Sequence, residues 1–241
     1  KSSATSCSGH LYSLEICDTL CAIGKVHLSR GQYEKAMSFF EKSLTLGKQH
    51  HVVQLHKCDQ NRLDPCVAAV SAGVARSMVC MAMVHDATGN YRKAMKLCQK
   101  GLYIQKSTSQ GSSQLNVATT LNCLGNIHEK MGRYSEAMQC YSEALCTYRA
   151  KLSSDVHVFA GGLVVDISVS LSNMGMIHRL RGYYNEALRD FEEALELLST
   201  SGIGCEHRNV ASIMCNIGHI HATTAIFHNL KINHQHIGRE G

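Results

Sequence analysis

Histidine and cysteine are the residues through which this chain could do chemistry, with 15 and 12 of them among 241 residues. His27, His85, His128, His178 and His221 recur in one setting along the chain, and His219, His221, His228, His234 and His236 crowd its end. A zinc ion needs ligands within about 2.0–2.3 Å, usually from spacings such as HExxH or paired CxxC. Neither spacing occurs. The five recurrent histidines lie 43 or more residues apart, on helical units that stack about a helix diameter from one another, so they cannot converge on one ion. They read as packed side chains, and the terminal cluster reads at most as an incidental divalent-metal binder. Glu192, Glu193 and Glu196 read as a solvated helix face. With no nucleophile motif and no glycine-rich phosphate loop, the expectation is no catalytic residue, no cofactor and no metal site.

The cysteines lack the even spacing of a disulfide framework. Cys80 and Cys123 stand just before Met81 and Leu124, and Cys98 stands where Phe40 and Tyr141 stand in other copies of the pattern described next. They read as reduced thiols acting as small hydrophobes in a cytoplasmic protein, with oxidation sensing as the alternative.

The elements that must position these residues are repeated. Leu121, Leu124, Gly125, His128, Gly132, Tyr134, Ala137, Tyr141 and Ala144 set an order of large and small residues suited to two packed helices. Leu20, Ile23, Gly24, His27, Gly31, Tyr33, Ala36 and Phe40 repeat it, as do Leu171, Met174, Gly175, His178, Gly182, Tyr184, Ala187 and Phe191. Met78, Met81, Ala82, His85, Gly89, Tyr91, Ala94 and Cys98 form a weaker copy, with Ala82 for Gly, Cys98 for the aromatic and Gly101 for Ala. This order resembles the tetratricopeptide repeat, W-x2-L-G-x2-Y then A-x3-F then P, with the Trp, Tyr and Pro replaced. In that family the recurrent histidine position takes an aromatic, which accounts for all five at once.

The resemblance implies an all-α fold, a right-handed α-solenoid of four full hairpins and a partial fifth, each with a helix A and a helix B. Helix is expected as nearly the only regular structure, with turns at Gly31, Gly89, Gly132 and Gly182. Ala82 to Gly125 and Gly175 to Gly218 are 43 residues apart, while Gly24 to Ala82 is 58 and Gly125 to Gly175 is 50. The longer intervals place extra residues in connections around 50–66 and 153–166. A unit longer than 34 residues resembles the kinesin light chain and nephrocystin-like subtype, and Cys205-Glu206-His207-Arg208-Asn209-Val210-Ala211 resembles its DHPxVA stretch without the Pro. The expected boundaries are a disordered lead-in at 1–10, repeats at about 17–50, 75–108, 118–151 and 168–201, and a partial repeat at 211–224. A degenerate tail at 225–241 follows, because Ala225, Phe227 and Leu230 replace the expected Gly, Tyr and Ala.

Composition narrows the partners. Twenty-four basic against 19 acidic residues give a net charge of +5, too mild and scattered for a phosphate-binding stripe, so nucleic acid is not implied. No run of about 18 apolar residues is apparent, so no membrane insertion is expected. The chain opens at Lys1 without a leader and reads as a fragment of a longer chain.

In the family, helix A residues at the second, fifth, sixth, ninth and twelfth repeat positions line a concave groove. Carried over, these include Lys25, Arg76, Asn122, Asn126, Glu129, Asn173, Arg179 and Asn216. Asparagine offers a donor and an acceptor, so a ladder of them could grip a peptide backbone; the competing reading is that they cap or solvate helices. The carboxylate clamp of chaperone-binding relatives is not expected, since Asn122, Ser212 and Asn216 replace its basic members. The resemblance thus implies a non-enzymatic scaffold or adaptor for a protein or peptide ligand, kinesin light chain-like cargo adaptors being one form. The alternative is a regulatory array restraining a fused catalytic or nucleotide-binding domain.

Overall fold

The computed structural model describes the backbone of residues 4–55, 65–107, 113–154, 160–202 and 208–237, and the side chains of 15–49, 68–107, 114–153, 161–202 and 208–226. All regular structure among them is helical: α1 (Ala4–Ser29), α2 (Tyr33–Leu55), α3 (Pro65–Ala87), α4 (Tyr91–Ser107), α5 (Ser113–Lys130), α6 (Tyr134–Ser154), α7 (Ala160–Leu180), α8 (Tyr184–Thr200) and α9 (Arg208–Ile237). The chain divides into two compact units, Lys1–Cys140 and Tyr141–Gly241. That boundary falls inside α6, where the repeat pattern reads as one continuous array.

The hairpin turns share one chemistry. Gly31, Gly89, Gly132 and Gly182 have φ between 71° and 81°, a left-handed conformation that costs glycine little. In each turn the glycine N–H bonds the carbonyl three residues back, and the next N–H bonds the carbonyl of the recurrent histidine. Gln32 to His27 and Tyr183 to His178, both 2.9 Å, are examples. This pair of bonds is the Schellman motif, which satisfies carbonyls that a helix end would otherwise leave open.

In the first unit α1 pairs with α2 and α3 with α4, and α3 also contacts α1, α2 and α5. Ala36 and Phe40 are fully buried and cluster with Cys21, Cys80 and Val84. A Cβ on Gly24 would lie 2.4 Å from the Phe40 ring, so this helix-breaking residue is required by the aromatic opposite it. The weaker second copy exchanges both partners: Ala82 and Cys98, each fully buried, share one cluster with Val79, Ala94, Leu124 and Ile127. Losing the ring makes room for the methyl, so the departures compensate. Buried hydroxyls are paired, with Ser43 Oγ 2.8 Å from Ser77 Oγ and donating to the Cys17 carbonyl at 3.1 Å.

In the second unit α7 pairs with α8, and α9 contacts both. Phe191, Ala187, Ala194 and Leu198 of α8 are fully buried, as are Ile177 of α7 and Ile220 of α9. A Cβ on Gly175 would meet the Phe191 ring at 3.1 Å and the Ala187 carbonyl at 3.2 Å.

The membrane-length expectation needs correction, and two helix ends fall within the expected lead-in and tail. Helix α1 opens at Ala4, inside the expected disordered lead-in; no Pro interrupts this stretch, and a nucleated helix extends at one hydrogen bond per residue. Helix α9 runs to Ile237 with no turn at 225, where the repeat pattern loses its Gly; Ala225 resists the positive φ of the other turns. Ala68–Ala87 in α3 is long and apolar enough to cross a membrane, contrary to the expectation from sequence. More than half of that stretch is buried, because four neighbouring helices enclose α3 and its side chains must be apolar nearly all round.

Candidate peptide-binding groove

Helices α1, α3 and α5, the A helices of the first unit, lie in sequence, with α1 touching α3 and α3 touching α5. Their shared face carries groups beyond those the core uses. Arg76 on α3 pairs with Asp18 on α1 at 2.6 Å, and Lys130 on α5 pairs with Asp86 Oδ2 on α3 at 2.6 Å. A cavity of about 220 Å³ is lined by Leu28 on α1, Met83 and Asp86 on α3, and Cys123, Asn126 and Ile127 on α5, with Tyr33 on α2 and Cys98 on α4 also contributing. Asp86 is the cavity's one charged wall residue. Its Oδ1 is buried and has no hydrogen-bond partner among the described residues. Leaving such an acceptor unpaired costs about 1–3 kcal/mol or more. Cys123, in the same wall, has its thiol pushed up to about 11, first by desolvation and then by the Asp86 carboxylate, with the Lys25 ammonium opposing.

The residues expected from sequence divide in their availability. Lys25 is exposed, and Asn126 is half-buried in the cavity wall. Arg76 is held by Asp18, with its Nε buried and unpartnered among the described residues. Asn122 is 9% exposed, which withdraws it into the packing, while Glu129 is half-buried. In the second unit Asn173 is half-buried on α7. Arg179 Nη2 lies 3.0 Å from Met176 Sδ, and its Nε is buried without a partner among the described residues. Asn216 donates to the Ser212 carbonyl of its own helix at 3.0 Å, as the helix-solvating reading would have it. Leu28, Met83 and Asp86 are not singled out by the sequence pattern. They stand at the ninth and twelfth repeat positions, so the register that selects Asn126 and Glu129 also contains them.

The recurrent histidines serve the hairpins. His27 stacks on Phe39 with ring centroids 5.3 Å apart, and His178 Nδ1 lies 2.7 Å from Asp190 Oδ2, a partner twelve residues on in both cases. His128 Nδ1 is buried without a hydrogen bond among the described residues. Burial lowers the pKa of both His85 and His128. Among the described residues no three His, Cys, Asp or Glu side chains gather as metal ligands; His228, His234 and His236 lie outside the described side chains. The eight described cysteines are free thiols.

Tetratricopeptide repeat profiles match residues 73–150 and 166–225, and another matches residues 18–50. The chain belongs to the tetratricopeptide repeat family, a family of protein-interaction scaffolds, and its fold class is the all-α solenoid. Its fold is similar to that of solved repeat structures. Its repeats resemble in fold those of a kinesin light chain from Podosopora anserina with nearly identical TPR-like repeats, at 14% identity and TM-score 0.54, with 91% of each chain covered. BtubC (BKLC) from P. vanneervenii is similar at 16% identity and TM-score 0.64, over 92% of this chain and 78% of that one. Aspartyl phosphate phosphatase F from Bacillus subtilis is similar at 14% identity and TM-score 0.62, over 94% of this chain and 51% of the other. Compared with curated protein sequences, the chain finds no match.

Proposed function

We propose that this chain is a non-enzymatic adaptor that holds an extended segment of a partner protein along its A-helix face, a cargo adaptor of the kinesin light chain kind being one form. One observation carries the reading: α1, α3 and α5, with Tyr33 of α2 and Cys98 of α4, line a cavity whose wall includes the polar side chains of Asn126 and Asp86. A surface serving only as packing or as solvent contact would bury apolar groups or hydrate polar ones. Free thiols at all eight described cysteines accord with a reducing, cytoplasmic setting. The second reading, an array that restrains a fused domain, draws on the aspartyl phosphate phosphatase F chain, of which this chain spans 51%. In that solved structure the same kind of array is part of a longer protein.

The test is proximity labelling in cells, followed by reconstitution with the purified partner. Replacing Asn126 by Ala, and separately Asn173 by Ala, should each weaken binding by about 1–3 kcal/mol. Unchanged binding would assign both residues to helix solvation and remove them from the groove.

A further inference from the structure

We propose that α4 of one copy of this chain docks on α8 of a second copy, a basic helix against an acidic one. The chain as a whole is mildly basic at +5, but the fold sorts its charge by helix. Helix α4 holds five basic residues, Arg92, Lys93, Lys96, Lys100 and Lys106, and no acidic one. Helix α8 holds five acidic residues, Glu186, Asp190, Glu192, Glu193 and Glu196, and a single basic one, Arg189. The other B helices, α2 and α6, mix the two signs.

Both stripes point away from the core. Arg92, Lys93, Lys96 and Lys100 are exposed and lie opposite the buried Ala94 and Cys98. Glu186, Glu192, Glu193 and Glu196 are exposed and lie opposite the buried Ala187 and Phe191. Counted from the turn glycines Gly89 and Gly182, Lys93 matches Glu186 and Lys100 matches Glu193, so one register presents opposite charges on two helices of the same build.

Local structure accounts for neither stripe. Arg92, Lys96 and Lys100 follow at four-residue spacing, where like charges repel, and Arg92 and Lys93 sit in the first turn, where the helix dipole disfavours cations. Among the described residues no ion pair relieves Arg92, Lys93, Lys96 or Lys100. On α8, Arg149 holds Glu193 and His178 holds Asp190, which leaves Glu186, Glu192 and Glu196 for a partner. Arg189 lies among these three and tempers them without reversing their sign. Met78, Ile104 and Tyr103, the last 76% exposed, line a shallow depression with Lys96 and Lys100, an apolar setting in which an ion pair is less screened by water. The preceding B helix, α2, carries Glu34 and Glu41 at the repeat positions of Arg92 and Gln99. The basic surface is therefore one helix wide, which suits a single acidic helix better than a broad anionic membrane or a nucleic acid duplex.

Because the two faces differ, the contact is heterologous: each pair leaves one α4 and one α8 open, and copies add head to tail. One helix face buries less than a standard interface, so the association is weak and sensitive to salt. The A-helix groove stays free, and the proposal does not depend on it.

The test is sedimentation velocity of the full chain over a range of concentrations. In about 20 mM salt the sedimentation coefficient should climb with concentration, and about 500 mM salt should suppress the climb. Lys96→Glu with Lys100→Glu, or Glu192→Lys with Glu196→Lys, should each weaken self-association about tenfold or more. Mixed together, the two variants should form a one-to-one pair that grows no further, since one keeps α8 intact and the other keeps α4 intact. All four side chains are exposed, and Lys96→Gln with Lys100→Gln gives a milder loss of association if a reversal unfolds the chain. A sedimentation coefficient independent of concentration at low salt, self-association indifferent to both reversals, or a mixture that stays monomeric would overturn the proposal. So would binding of anionic vesicles or RNA through α4 by a chain that remains a monomer, because α4 would then serve another partner.

Discussion

The fourth and fifth A helices carry nearly the same pattern and end differently. Helix α7 stops at Leu180, turns at Gly182 with φ 81°, and returns as α8; α9 passes the matching position at Ala225 and continues to Ile237. The consequence reaches the helix centre. Gly175 faces the Phe191 ring closely enough to forbid a side chain, whereas a methyl placed on Gly218, its counterpart 43 residues on, would meet nothing within 4 Å among the described residues. Each A helix thus keeps its small residue, but only a turn brings back the partner that requires it. Met214 and Ile226 are correspondingly 56% and 60% exposed on α9.

This contrast is open to direct attack. The largest effect should come from Phe191→Ala, which empties a fully buried ring position and should cost about 3–5 kcal/mol, read as a lowered denaturation midpoint. Gly175→Ala and Gly218→Ala should then differ in sign. The first forces a methyl against a ring and a carbonyl, at about 1–3 kcal/mol. The second gains about 0.5–1 kcal/mol of helix propensity. Equal effects at the two sites would mean that α9 has a packed partner after all.

Amide exchange should sharpen the same comparison. Helix α8 has four fully buried side chains, while α9 packs on α7 and α8 without a returning helix of its own. Exchange should therefore be fastest in α9 beyond about His221. Protection there equal to that of α8 would refute the idea of an unfinished repeat.

A smaller contrast lies in pH. His85 and His128 have pKa values lowered by burial from 6.5, so the unfolded chain takes up protons that the folded chain resists. Stability from these groups is complete above pH 6.5 and declines as pH falls below it. Asp190, beside His178, has the opposite sign: burial raises its pKa, so protonation near its ordinary range favours the folded state. Denaturation midpoints measured between pH 7.5 and 5.5 should thus fall, and replacing both His85 and His128 by Gln should flatten the decline.

Much of this architecture is legible in the residues. The turns are readable because Gly at 31, 89, 132 and 182 is needed for positive φ, and the hairpins because Gly24 and Gly175 pair by size with Phe40 and Phe191. The weak second copy hides its logic, since Ala82 and Cys98 make sense only as a compensating pair. The full length of α9 is hidden because loss of a turn glycine resembles decay of structure, when physically it lets the helix continue. The apolar length of α3 is obscured because its helix periodicity fades where neighbours enclose it. In the groove, position alone names Asn126 and Glu129, but Asp86 emerges only through the cavity and the oxygen it leaves unpaired. Asn216 is seen to be tied to its own helix only through its hydrogen bond to the Ser212 carbonyl.

Everything proposed for function depends on the A helices, and not the B helices, forming the partner-binding face. Hydrogen exchange of the chain with and without its purified partner reads this out helix by helix. Protection on binding should concentrate in α1, α3 and α5, around Lys25, Asp86 and Asn126. Protection confined to α2, α4 and α8, with those three helices unchanged, would contradict it.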